Sequence, residues 1–176
     1  MAADVCKTDT AVFENASIAC QSMAPGNPSG AAKGGGMLID QGDLLYGMDR
    51  QFIKEFMELT VSQVHPQGEF IFREGSRADY FYTLIEGRVC LTLGDANQEV
   101  YLLTHSGEAF GWSSLVERNY YSASAQCLAP SRVLKLQSSQ LNQLLLKHPE
   151  NGFIFYKKLA GMLGNRLVQC YRRLYA

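Results

Sequence analysis

The sequence predicts a mainly β fold with flanking helices: an antiparallel β-roll or jelly roll (double-stranded β-helix) with a short N-terminal helix and a long C-terminal helix. Three observations carry this. Turn residues recur at short intervals, at Pro66-Gln67-Gly68, Gly75-Ser76, Gly87-Arg88, Gly94-Asp95-Ala96-Asn97, Gly107 and Ala129-Pro130-Ser131, with apolar or β-branched runs between them. Ahead of these turns apolar residues fall at helical spacing for a short stretch, and behind them helical spacing returns and runs to the C-terminus.

Residues 1–36 are rich in Ala, Gly, Ser and Pro and hold Gly34-Gly35-Gly36 without a period of 2 or 3.6. Such a stretch buries too little apolar surface to offset its ordering entropy, so it reads as a flexible tail, disordered or not native. From Arg50 to Thr60 the residues Phe52, Ile53, Phe56, Met57 and Leu59 share one side of a helix, behind an Asp49 that can cap its first turn. The period then changes to 2. Strands are expected at 69–73, 80–86, 89–93, 100–104, 122–128 and 132–136; in the last, Val133 faces opposite to Leu134 and Leu136, as in a sheet covered on one side and partly on the other. These strands and the helices around them make one domain, 37–149.

Over Ser138–His148 helical spacing returns, with a Ser available as N-cap and Pro149 as the stop. Residues 150–176 read as one long helix whose Phe153, Tyr156, Ala160, Leu163, Leu167, Cys170 and Leu174 step by three and four, the seam of a coiled coil. A second face through Leu159, Met162 and Val168 can meet the chain's own barrel. The two-sided pattern predicts a homodimer through 150–176, with Ala160 and Gly164 allowing close approach.

Composition narrows the function. Sixteen basic against seventeen acidic residues give a net charge of −1, which lacks the basic footprint of a nucleic-acid binder. No apolar run is long enough to span a bilayer and no secretion signal opens the chain, so a cytoplasmic location is expected. Five scattered cysteines suit reduced thiols. His65, His105 and His148 stand far apart and read as surface or turn residues, with no metal-ligand spacing. The sequence shows no Ser-His-acid order, Gly-x-Ser-x-Gly elbow, phosphate loop or spaced acid pair, so no enzyme, catalytic residue or metal site is expected. The cations Lys157, Lys158, Arg166, Arg172 and Arg173 of the last helix complement its dipole and solvate its outer face.

The order helix, glycine-punctuated roll, short helix and long helix, together with Glu74-Gly75-Ser76-Arg77-Ala78-Asp79-Tyr80-Phe81-Tyr82, Glu86-Gly87 and Phe110-Gly111, resembles the cyclic nucleotide-binding domain family over about residues 50–176. It looks most like the sensor half of catabolite-activator-type bacterial regulators, where an equally long C-terminal helix forms the dimer. The DNA-reading domain of that group would follow the long helix, and none is expected in the sequence given, which runs to Ala176.

The resemblance implies a ligand loop reading Phe-Gly-Glu-Leu-Ala-Leu, followed about nine or ten positions after the Glu by Arg-Ala/Ser-Ala. Backbone N–H groups would face the cyclic phosphate, the Arg would neutralise it and the Glu would accept from the ribose. Here Phe110 and Gly111 match, Trp112 stands in place of the Glu, Tyr121 in place of the Arg, and Ser122 and Ala123 stay in register. Ser113 and Ser114 keep a polar cradle, and Arg118 is a nearby cation able to reach inward. The ligand-binding set is therefore Phe110, Gly111, Trp112, Ser113, Ser114, Tyr121, Ser122 and Ala123.

Both charged contacts are replaced, which argues against ordinary cyclic nucleotide binding. Trp112 and Tyr121 either fill the pocket, leaving a structural or dimerisation module, or line it and stack on a small organic ligand. The expected function is a non-enzymatic small-molecule sensor, its ligand a cyclic nucleotide held weakly or another small molecule. A plugged structural module and a haem or metal sensor are the alternatives.

Overall fold

A computed structural model of the chain describes residues 44–94 and 96–174, with the backbone alone at 173 and 174. The tail 1–36 lies outside the described residues. The first helix, α1 (Arg50–Leu59), forms as expected, its Phe52 N–H held by the Asp49 carboxylate at 2.8 Å. Eight strands follow among the described residues: β1 (Val61–His65), β2 (Phe70–Phe72), β3 (Tyr80–Glu86), β4 (Val89–Leu93), β5 (Gln98–Leu103), β6 (Ala109–Phe110), β7 (Ser124–Cys127) and β8 (Ser131–Gln137). They make two antiparallel four-stranded sheets, in the orders β1-β8-β3-β6 and β2-β7-β4-β5.

Away from the β1 edge, the first sheet is buried on both faces. Alternation sends Tyr82, Leu84, Phe110 and Val133 into the roll, with Phe72, Val89, Leu103, Ala125 and Cys127 of the other sheet. The opposite face presents Phe81, Ala109 and Leu136 to a helical cluster built on Phe52, Phe56, Leu141, Leu144, Leu145, Phe155 and Leu159. Gly87, at φ +101, turns β3 into β4 where an added Cβ would lie 2.4 Å from Ser131 Oγ and 2.6 Å from Pro130 O.

Several boundaries differ from the sequence expectation. The strands β1 and β6 were not anticipated: β1 is an exposed edge whose five residues alternate weakly, and β6 has two residues only. The strand expected from 122 begins at Ser124, because Ser122 and Ala123 form a bend. After α2 (Ser138–Lys147), Pro149 opens the next helix as well as ending the last, since a residue without an N–H fits the first helical position; only His148 separates α2 from α3 (Pro149–Leu174). Gln137 takes the cap position of α2, and Ser138 Oγ donates instead to Asp79 O at 2.9 Å.

The three helices are clasped together at that joint. Asp49 and Asn151 bond to each other through side chain and backbone, and Glu55 of α1 accepts from Lys147 Nζ at 2.8 Å and meets His148 Nε2 at 3.3 Å. His148 thus lies in the turn between α2 and α3, as expected, but is partly buried and also packs edge-on against Phe52. His65 is likewise mostly buried, 3.0 Å from Glu69.

On α3 the inner stripe is Phe155, Leu159, Met162, Arg166 and Cys170, at steps of three and four. This corrects the expected seam. Leu163 packs on the helical cluster and Cys170 Sγ turns to Val100 O, whereas Val168, expected to meet the barrel, is exposed. Phe153, at 71% exposure, Tyr156, Ala160 and Leu167 do face outward, together with Val168 and Tyr171. The Leu174 side chain lies outside the described residues.

Candidate ligand site

The loop begins where β6 ends. Phe110 is fully buried in the roll, and Gly111 follows in the left-handed region at φ +72. A Cβ there would stand 3.0 Å from both Tyr80 O and Tyr82 Cδ2 and 3.4 Å from Tyr121 Cε1, so position 111 needs glycine for its φ and for the close approach of β3. The chain then enters a 3-10 helix, Trp112–Leu115.

The serine hydroxyls of this turn are engaged with the loop itself. Ser114 Oγ donates to Gly111 O at 3.0 Å. Ser113, buried, accepts from the Ser122 N–H at 3.4 Å and shares a 3.3 Å contact with the Ser122 hydroxyl. Ser113 thereby ties the two halves of the expected site, and Ala123 beside it is half-buried.

Trp112 does not enter the roll. It is half-buried and packs on the helical cluster, with the Arg118 guanidinium 6.0 Å from its ring centroid. Arg118, read from the sequence as able to reach inward, instead lies over that ring. The residue that occupies the interior is Tyr121, only 4% exposed.

Tyr121 is projected inward because its backbone is zipped to the 75–78 loop: its N–H donates to Ser76 O and its carbonyl accepts from the Gly75 N–H, each at 2.9 Å. Its ring stacks on Phe72, centroids 3.8 Å apart and planes 14° apart, and Phe72 in turn meets Tyr82 and Phe110. The hydroxyl donates to Tyr80 O at 2.7 Å and accepts from the Tyr80 N–H at 3.2 Å. Burial pushes the Tyr121 hydroxyl up to about 12 and that of Tyr82 higher still, so both stay neutral. Aromatic rings and backbone amides, not a guanidinium, surround this point. Such an interior can stack and donate hydrogen bonds, but it offers a phosphate no compensating charge.

One charged residue near the loop escaped the sequence analysis. Arg166 of α3, read there as an outward cation, is 8% exposed and donates from Nη2 to Ala109 O, the residue before Phe110. The signal was present: a lone Arg within the inner stripe at 155, 159, 162 and 166. Among the described residues no group of three or more His, Cys, Asp or Glu could hold a metal ion, and no helix is long and apolar enough to cross a membrane. Among the described residues Cys90, Cys127 and Cys170 form no disulfide.

Residues 62–148 match the sequence profile of the cyclic nucleotide-binding domain. Among solved structures the chain is similar to the catabolite activator protein of Thermus thermophilus, at 26% identity and a TM-score of 0.62, covering 76% of this chain and 62% of that one. A cyclic nucleotide-binding domain from Methylobacillus flagellatus KT shares the fold at 22% identity and a TM-score of 0.66, over 74% and 75% of the two chains. Among curated proteins it is 24% identical over 131 residues to the cyclic nucleotide-gated channel beta-1 of Bos taurus, 73% of this chain and 9% of that protein. The chain spans less than a third of the length of the curated relatives it matches.

Proposed function

The chain belongs, through residues 62–148, to the cyclic nucleotide-binding domain family, and from that we propose that it is a non-enzymatic regulatory module that does not take ordinary cyclic nucleotides as its ligand. The observation that supports this is Tyr121. It stands where the family Arg is expected, stacked on Phe72 and bonded at its hydroxyl to both polar groups of the Tyr80 backbone. A cyclic phosphate placed there would lack its cation, which costs on the order of 2 to 5 kcal/mol, and would have to displace a packed ring. Titration calorimetry with cyclic AMP and cyclic GMP tests the proposal. No heat of binding is expected at micromolar ligand; a micromolar or tighter site would overturn it.

The position of Trp112 favours a second reading, in which a small organic ligand binds on the outer side of the loop. The indole is half-exposed beneath Arg118, a stacking surface with a cation beside it. Native mass spectrometry of gently purified protein separates the readings: a retained small molecule supports sensing, and a bare mass supports the filled, structural module. We further propose that the outward face of α3, with Phe153, Tyr156, Ala160 and Leu167, pairs two copies of the chain in the cytoplasm.

A further inference from the structure

The roll is open along one side. In the sheet order, β6 ends the first sheet and β5 ends the second, so each leaves one edge unpaired by another described strand. The Glu108 carbonyl accepts from the Leu84 N–H of β3, so alternation aims the Ala109 carbonyl away from β3, at the free edge. At β5, the register shift between Leu91 and Thr92 leaves Val100 without an opposed partner. The inner stripe of α3 lies across this opening: Arg166 Nη2 donates to Ala109 O at 2.5 Å, and Cys170 Sγ meets Val100 O at 3.9 Å.

Arg166 is held there by several groups at once. Its guanidinium carbon is 4.4 Å from the Tyr101 ring centroid, and Nη2 also touches Met162 Sδ. Tyr101 donates through its hydroxyl to Glu108 Oε1 at 2.8 Å, while Glu108 Oε2 accepts from the N–H groups of Thr104 and His105 at 2.7 and 2.8 Å. Tyr101, Glu108 and the turn between them thus form a braced unit under Arg166. Its Nε and Nη1 are buried without a hydrogen-bond partner among the described residues. A guanidinium is an expensive way to seal a seam, since an apolar side chain of similar length would do so without burying charge. What an apolar residue would not do is bond to the β6 carbonyl one residue before the ligand loop.

We propose that Arg166 is a positioning residue that joins α3 to the ligand loop, so that the ordering of Ala109–Leu115 and of α3 beyond Met162 rise and fall together. Either partner then biases the other by the same amount, whatever the loop does or does not bind.

Amide hydrogen exchange on the full chain tests this. In Arg166→Met the seam stays apolar and filled, so the melting temperature is expected to hold or rise, while exchange over 109–115 and 163–172 quickens by roughly ten- to hundredfold, the loss of one charged hydrogen bond. Arg166→Lys, which can still donate to Ala109 O, is expected to restore part of the protection in both segments. Acting from the other end, Gly111→Ala is expected to quicken exchange in 163–172. Overturning results are wild-type exchange in both segments of Arg166→Met, an increase spread evenly over β3, β4, β7 and β8, or protection of 163–172 untouched by a folded Gly111→Ala. If that last variant does not fold, the two Arg166 variants decide. No ligand enters the experiment, so its failure is separate from a failure of the proposed function.

Discussion

Replacing Tyr121 with Phe removes one oxygen and leaves the ring in place, which makes it the sharpest probe of how the interior of the roll is held. The oxygen donates to Tyr80 O at 2.7 Å and accepts from the Tyr80 N–H at 3.2 Å. Its loss strips one partner from each polar group of the Tyr80 backbone, at about 1 to 3 kcal/mol in all. The Phe72 stack at 3.8 Å survives, so little is lost from packing. For a domain of this size each kcal/mol moves the melting temperature by about 3 to 6 °C, and a fall of about 3 to 18 °C is expected. Scanning calorimetry or urea unfolding with an unchanged m-value reads it directly, and Tyr120→Phe, at a neighbouring site 62% exposed, serves as the control within about 0.5 kcal/mol. Tyr121→Ala, which also removes the ring, should cost about 3 to 5 kcal/mol. A Tyr121→Phe protein as stable as the control would refute the claim that the hydroxyl clasp seats this side chain.

Three other outcomes are expected. Gly111→Ala must hold a Cβ at φ +72 and 3.0 Å from Tyr80 O, so it should lose about 1 to 2 kcal/mol from the backbone conformation alone, with more from the contact; an unchanged urea midpoint would contradict the packing of the loop on β3. The Lys147 ammonium, then Gln51 and His148, hold the Glu55 carboxyl down at about 2 against an ordinary 4.5. Its folded value is depressed, so its contribution is complete above about pH 4.5 and disappears as pH falls towards 2; stability measured across that window should decline less steeply in Glu55→Gln, and identical slopes would remove the clasp from the account. Leu167, 51% exposed on α3, should when changed to Asp shift a dimer to monomer in light scattering after size exclusion, and a wild-type monomer at about 100 μM would end the dimer proposal.

The framework of the fold was legible in the sequence because its signals are local. Asp49 caps α1 by accepting from the N–H three residues on, glycines mark the turns, and the opposed faces of Val133 and Leu136 are written in a period of 2. Strand β1 was not legible, because an edge with one partner needs little apolar alternation. The loop could be placed from Phe110-Gly111, yet the roles of its two aromatic residues could not. Trp112 and Tyr121 are both large aromatic residues with one polar group, and Tyr121 is held in the roll by backbone bonds to Gly75 and Ser76, far away along the chain.

The sequence by itself determined the roll and the long final helix, since these follow from turn chemistry and periodicity. Only the tertiary structure decided that Tyr121 fills the interior while Trp112 faces the helices, and that Arg166 turns inward to the edge of β6. The reason is physical: direction and burial are settled by non-local hydrogen bonds and by which edge of a sheet is left open, and neither is carried by a residue's immediate neighbours.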